Sequence, residues 1–367
     1  MLNITLEKRP SDSKTMSYLS PLFAIILTLA SGGLLFTTLG QDPFHALYTF
    51  FIAPLTDVYG WTELGVKVAP LTLCAMGLML CFKARIWNIG AEGQFILGGL
   101  GGGYIALELM DAEGIWVLPL VLFFGALSGL LWGALTALLK TRFGANEILT
   151  TIMLNYIALN WLLYGVHGPL KDPDGFNFPE SALFSDFATL PVLSDDYRLN
   201  ISIFFALFAV AVIWALMSKT LLGFQISVLG EDKSAARFAG FKEERLIWFV
   251  LLACGALAGL AGVSEVTGSV GQLNPYISPG YGYAAIIVAF LGRMHPVGIV
   301  FASMLLALTY MGGEMAQMDL GLPKSLTGLF QGMLLFYLLA CDLLISYRIV
   351  RKPAARTISS SSNPAQA

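Results

Sequence analysis

Runs of about twenty apolar residues recur along almost the whole chain, and that one feature removes most folds from consideration. A helix needs roughly 20 predominantly apolar residues to cross about 30 Å of hydrocarbon. Ten such segments can be drawn, at about 19–40, 63–82, 86–108, 115–139, 148–166, 200–217, 247–266, 280–292, 296–313 and 324–346. They predict an all-α, polytopic membrane protein of about ten helical segments. Its parts are a cytoplasmic N-terminal segment over 1–18, a transmembrane domain over 19–346 and a disordered, Ser-rich cytoplasmic tail over 347–367. The third and eighth segments are the weak ones. The third opens on polar Asn88 and Glu92 and is rich in glycine, and the eighth is only about thirteen residues long. Both suit broken or re-entrant helices, which occur where protein or a water-filled cavity satisfies the freed backbone.

Composition agrees. Of 367 residues 56% are hydrophobic and 12% charged, with a mean hydropathy of +0.73, whereas an ordinary soluble domain carries about 25% charged residues. A net charge of −3 offers no concentrated basic surface to a phosphate backbone, so no nucleic acid partner is expected. Cys74, Cys81, Cys254 and Cys341 all lie inside apolar runs, without a CxxC pair, and read as small hydrophobes. His45, His167 and His295 are far apart and form no HExxH, so no metal site is expected. The charged residues through Lys14 precede an apolar run too long for a signal-peptide core, and no clear small-x-small cleavage site follows. A retained first span is expected.

Basic residues orient the spans. With the N-terminus inside and ten crossings, seventeen of the 21 Lys and Arg residues fall on the inner side, leaving Lys67, Lys171, Arg198 and Lys324 at the outer one. The positive-inside rule then puts both termini in the cytoplasm. The longest outer loop, about 167–199, contains KDPDGFNFPES and four prolines, Pro169, Pro173, Pro179 and Pro191, which oppose helix. It is a docking surface or a connector. Small-xxx-small pairs such as Gly99/Gly103, Gly125/Gly129, Gly255/Gly259 and Gly328/Gly332 read as close helix packing.

One cytoplasmic loop does not look like a connector. Between the sixth and seventh spans runs KTLLGFQISVLGEDKSAARFAGFKEERLIW, with a short helix expected from Glu231 to Phe238 and Gly240 placed to end it. Its apolar face is small, and Glu231, Asp232, Glu243 and Glu244 would be repelled by anionic lipid. A protein partner is the better expectation.

GFQISVLGEDKSAARFAGF resembles the cytoplasmic coupling segment of permease subunits in ATP-binding-cassette importers of the branched-chain amino acid, sugar and nucleoside superfamily. IWNIGAEGQFILGG is similar to the hallmark of the nucleoside branch, where sugar permeases more typically carry a Gly-Ile-Asp-Leu-Ser type sequence. KTRFGANEILTTIMLNYIA, SEVTGSVGQLNP and SPGYGYAAIIVAFLGRMHPVGI match further, in order, over about residues 62 to 300. The resemblance implies that Gly223, Glu231, Ala236, Arg237 and Gly240 dock into a groove of a separate ATPase subunit. It also implies a second permease subunit, identical or homologous, and a periplasmic or lipid-anchored solute-binding protein, in a bacterial inner membrane.

Glu92 is the most expensive residue in this reading, because a charge near the bilayer centre costs about 2.5–3.5 kcal/mol on insertion scales. It should border the translocation pathway or serve as a structural hydrogen-bond partner. Asn88, Glu92, Gln94, Asn155 and Glu265 are the expected pathway residues, their amides and carboxylates suited to hydroxyls and ring nitrogens. Asn146 and Glu147 read as a helix cap, and Glu265 and Gln272 as either an outer mouth or a loop anchor. No GxxxxGK[ST] occurs, so ATP and Mg belong on the partner ATPase and this chain is expected to be no enzyme and to bind no cofactor. A sugar or another small heterocycle is the alternative solute. An ion-coupled carrier with Glu92 as its coupling group is the alternative class, and it leaves the 219–246 loop unexplained.

Overall fold

The computed structural model describes residues 3–9, 13–175 and 177–352. Among them are thirteen α-helices: α1 Lys14–Thr38, α2 Pro43–Phe51, α3 Val58–Lys83, α4 Ala91–Glu108, α5 Val117–Phe143, α6 Glu147–His167, α7 Ser202–Lys219, α8 Leu221–Glu231, α9 Lys233–Phe238, α10 Glu243–Glu265, α11 Tyr281–Leu291, α12 Pro296–Leu320 and α13 Ser325–Ser346. Eight of these are long and apolar enough to cross a membrane, namely α1, α3, α5, α6, α7, α10, α12 and α13. The two weak segments are the remaining ones: α4 is not among the eight, and α11 has 11 residues. At 1.5 Å per residue α11 covers about 16 Å, half of the hydrocarbon thickness.

The helices sort by how many sides they bury. α3 is apolar all round and has neighbours on every side, with 89% of its most apolar stretch buried, whereas α7 presents most of its surface outward, with 22% buried. A helix hydrophobic around its whole circumference belongs in the middle of a bundle, and α3 obeys that rule. α10 is the second central helix and packs on α3, α4 and α5. It approaches α4 and α5 through glycines: a Cβ on Gly98 would stand 2.3 Å from the Gly259 Cα, and one on Gly129 would stand 2.4 Å from the Gly255 carbonyl oxygen. Without a strong hydrophobic drive between helices in lipid, such backbone contact is what holds them. Gly328 and Gly332 differ, since nothing lies within 4 Å of a Cβ at either, so the packing expected of that pair is not found.

Besides α8 and α9, which belong to the loop between the sixth and seventh spans, α2 and a β-ribbon lie outside the ten expected segments. α2 starts on an Asp42 cap with Pro43 in its first turn, and its Phe50 stacks on Phe330 of α13 with ring centroids 4.6 Å apart. A two-stranded antiparallel ribbon pairs β1 Asn3–Lys8 with β2 Tyr347–Lys352. The tail expected to be disordered from 347 therefore begins as strand, and residues 353–367 lie outside the described ones. Ile and Thr in NITLEK and Ile and Val in YRIVRK favour that pairing. The ribbon brings both ends of the described chain to one face of the bundle.

The loop after α6 is irregular apart from a short 3-10 turn, Asp186–Ala188. Its backbone is nevertheless pinned to the segment following α10. Ser181 N donates to Leu273 O at 2.9 Å, Phe184 N to Gly271 O at 2.9 Å and Leu190 N to Thr267 O at 3.0 Å.

Candidate functional site

Two helices begin inside the bundle, and they begin at the same place. Between α3 and α4 the chain leaves the helical path at Ala84–Gly90, with Arg85 in the left-handed region at φ +52°. Where this segment is buried, as at Asn88 and Gly90, its backbone polar groups need partners within the protein. Side chains supply the partners. Ile89 N donates to Thr151 Oγ1 at 3.2 Å, and Ile89 O accepts from Asn155 Nδ2 at 2.9 Å. Gly90 N donates to Asn88 Oδ1 at 2.9 Å, and Gly93 N to Asn155 Oδ1 at 2.9 Å. Thr151 and Asn155 stand one turn apart on α6, so one face of that helix braces the start of α4.

α11 begins opposite. Its cap residue Gly280 has φ +95° and no side chain to offer the first turn. Glu92, in the first turn of α4, takes over that duty: its Oε2 accepts from Gly282 N at 2.8 Å. The approach is possible only at glycine, because a Cβ on Gly282 would stand 2.2 Å from Glu92 N and 2.5 Å from its Cα. Each helix start carries partial positive charge from unpaired N–H groups, so a carboxylate at two such starts sits where the backbone field favours it. This arrangement lets Glu92 remain 6% exposed in the interior.

Glu92 also borders a cavity of about 140 Å³, lined with Ile96, Asn155, Tyr156, Leu159, Leu162, Pro275, Ser278 and Tyr283. Asn155 Nδ2 holds the Tyr283 hydroxyl at 3.1 Å. The lining thus combines one carboxylate, one amide, hydroxyls and two aromatic rings over an apolar floor, the usual make-up of a small-molecule site. Its volume is smaller than the roughly 300–1,000 Å³ of a complete ligand pocket.

The expected pathway residues divide accordingly. Glu92 and Asn155 meet at the cavity. Asn88 and Gln94, both fully buried, lie against α10 instead, where Asn88 Nδ2 donates to Cys254 Sγ at 3.2 Å and to Gln94 Oε1 at 3.4 Å. Glu265 closes α10 away from the cavity, facing Lys67, Arg198 and Glu63, in a region where Arg198 pairs with Glu63 at 3.4 Å and Lys67 with Glu314 at 2.9 Å. Gln272 donates to Glu180 at 2.9 Å and so anchors the long loop. Asn146 caps α6 through Ile148 N at 2.9 Å, and Glu147 beside it pairs with Lys140 at 2.7 Å. Tyr156, Ser278 and Tyr283 escaped the sequence reading. The signal was present, since Tyr156 follows Asn155 and the other two flank PGYG, but hydropathy does not tell which side of a helix faces a cavity.

The second candidate region is the α7–α10 connection. The short helix starts later than expected: Glu231 closes α8, and Asp232, extended at φ −149°, caps α9 through Ser234 N at 2.7 Å. An Asp at that position competes for the backbone and breaks the helix in two. Gly223 lies at the α7–α8 corner, where a Cβ would stand 2.3 Å from Leu216 O. Of α9 only Ala236 is buried, at 0% exposure, while Phe238 is 98% exposed. Gly240 follows with φ +80°, as a left-handed helix end requires. Arg237 reaches Glu243 at 2.7 Å.

Comparison with known proteins places these features. Residues 61–339 match the family model described as the branched-chain amino acid transport system permease component. The chain belongs to this family. The match takes in both helix starts at the cavity and the whole α8–α9 connection, and together with the curated relatives it makes the chain a permease subunit of the ABC-transporter kind. Among curated relatives, the glucose ABC transporter permease protein TsgB13 of Haloferax volcanii is 32% identical, over 95% of this chain and 94% of that protein. The nucleoside ABC transporter permease protein NupB of Lactococcus lactis is 29% identical over 95% and 97%. The guanosine ABC transporter permease protein NupP of Bacillus subtilis is 30% identical over 88% and 94%.

Proposed function

We propose that this permease moves a nucleoside-like solute inward across a bacterial inner membrane by alternating access, driven by ATP on a separate subunit docked at α8–α9. The observation that carries the solute reading is the Glu92 cavity. Tyr156 and Tyr283 offer flat apolar faces to a base, and Glu92, Asn155 and Ser278 offer acceptors and donors to ring nitrogens and hydroxyls. Its small volume in one subunit suits half of a pathway shared with a second permease, the same chain or a homologue. A periplasmic or lipid-anchored protein delivers the solute from the side opposite α9, and both termini are cytoplasmic, a reading supported by the basic loops and by the β1–β2 ribbon, which holds the two ends of the described chain on one face.

A sugar is the second reading, favoured by the 32% identity to a glucose permease. Uptake of labelled purine and pyrimidine nucleosides, competed by free ribose, glucose and nucleobases, separates the two in cells expressing the whole transporter. Competition by nucleosides but not by free sugars is the expected result. Competition by glucose or ribose alone would move the solute to the sugar class and leave the ATPase docking standing. Loss of uptake on collapsing the proton gradient with ATP maintained would replace both with an ion-coupled carrier.

A further inference from the structure

The short helix that faces the proposed ATPase rests on the bundle through buried Ala236, and one carboxylate ties its charged side chains to α10. Glu243, the first residue of α10, points back at α9 with both oxygens. Its Oε2 accepts from Arg237 Nε at 3.1 Å and from Nη2 at 2.7 Å, and its Oε1 lies 3.1 Å from Lys233 Nζ. The two cations project from successive turns of α9 and are largely exposed, with side-chain exposures of 71% and 56%, whereas Glu243 is only 18% exposed. With one oxygen given to each cation, the carboxylate fixes the direction of both side chains as well as their distance.

Beyond Glu243 the route inward has little slack. α10 meets α4 backbone to backbone, since a Cβ on Gly262 would stand 1.9 Å from the Phe95 carbonyl oxygen. α4 in turn begins with Glu92, which holds the start of α11. Close-packed elements of this kind shift as rigid bodies rather than deform.

We infer that Glu243 is a positioning residue for transport: it converts a push on α9 into movement of α10, and through α4 into movement of the cavity wall. The inference rests on the proposed docking at α8–α9. It also gives α9 two separate duties, with Phe238 and its exposed neighbours turned toward the partner and Lys233 and Arg237 turned back toward Glu243.

The test is the ratio of ATP hydrolysed to solute imported by the assembled transporter, purified through a tag on this chain and reconstituted with its binding protein. Glu243→Gln is expected to leave the ATPase subunit co-purifying and hydrolysing ATP, while the ratio rises about five- to tenfold. Glu243→Asp, which keeps the charge and shortens the reach, is expected to fall in between, and it serves if the Gln variant does not accumulate. Glu244→Gln is the matched charge control and should behave as wild type. An unchanged ratio in Glu243→Gln, or an equal rise in Glu244→Gln, would overturn the inference. Loss of ATPase co-purification in Glu243→Gln would also overturn it, by making Glu243 a docking contact, and would leave the docking reading intact. That reading fails separately if Phe238→Asp co-purifies the ATPase and imports as wild type does.

Discussion

Glu92 and Glu243 do the same mechanical task in opposite solvents. Each sits in the first turn of a helix and ties that helix to another. Glu92 is buried in the interior and accepts from a backbone N–H of α11, whereas Glu243 is near the surface and is held by two exposed cations. In the interior a lost hydrogen bond leaves a group that water cannot reach, so the tie is part of the fold. At the surface water replaces whatever is lost, so the tie adds little stability and matters only for the direction in which force travels. The difference predicts that damage to the inner tie shows first as loss of protein, and damage to the outer one first as loss of coupling.

The largest effect is expected at Gly282. A Val there drives a Cβ into the backbone of α4, and overpacking of this kind costs about 3 kcal/mol or more. The thermal midpoint of the detergent-solubilised chain should fall steeply or the protein fail to accumulate, and a normal midpoint would show that α4 and α11 do not touch as described.

Glu92 comes next, because two substitutions divide its roles. Glu92→Ala strands the Gly282 N–H, at a cost of about 1–3 kcal/mol, so both stability and import should drop. Glu92→Gln keeps an acceptor for that N–H, so its midpoint is expected to stay close to wild type while import falls. Equal import by Glu92→Gln and wild type would assign Glu92 to the cap alone.

Asn155→Ala unpairs Ile89 O and Gly93 N together and releases the Tyr283 hydroxyl. A loss of about 1–3 kcal/mol is expected, with a raised KM for uptake as Tyr283 swings free. Replacement by Asp, which cannot donate to Ile89 O, should restore less than half of it.

The smallest change in stability belongs to Lys233→Met. A surface ion pair contributes about 0–1 kcal/mol, so the midpoint should not move measurably, while the ATP-to-solute ratio rises modestly. Salt sharpens the contrast. Ionic strength screens exposed pairs and spares buried hydrogen bonds, so raising it should increase the ratio in the wild type and have little effect in Glu243→Gln.

Hydropathy delivered the spans because crossing a membrane is a matter of length, and length is local. It marked the eighth segment as weak for its length and the third for its polar start and its glycines, and the starts of their helices, α4 and α11, border the cavity. The partner of Glu92 was not legible, since Gly282 lies 190 residues away and only the rotation of α11 brings them together. The break at Asp232 was hidden because Glu231, Asp232 and Lys233 look alike as charges, though Asp alone of the three caps a helix well. α2 carried its cap and its Pro43 in plain view but is too short to register as a span. Glycine pairs told where helices can approach, not where they do: Gly129 and Gly259 meet, while Gly328 and Gly332 face open space.

The distance along the chain between Glu92 and Gly282 also sets an order of events during synthesis. Their 190-residue separation corresponds to roughly 10–40 s of translation at about 5–20 residues per second. Throughout that interval the carboxylate has no α11 to hold, and α4, with its polar first turn, has little reason to enter lipid by itself. The α4–α11 contact therefore forms only when α11 arrives, and the cavity, which Ser278 and Tyr283 help to line, is among the last parts of the molecule to exist.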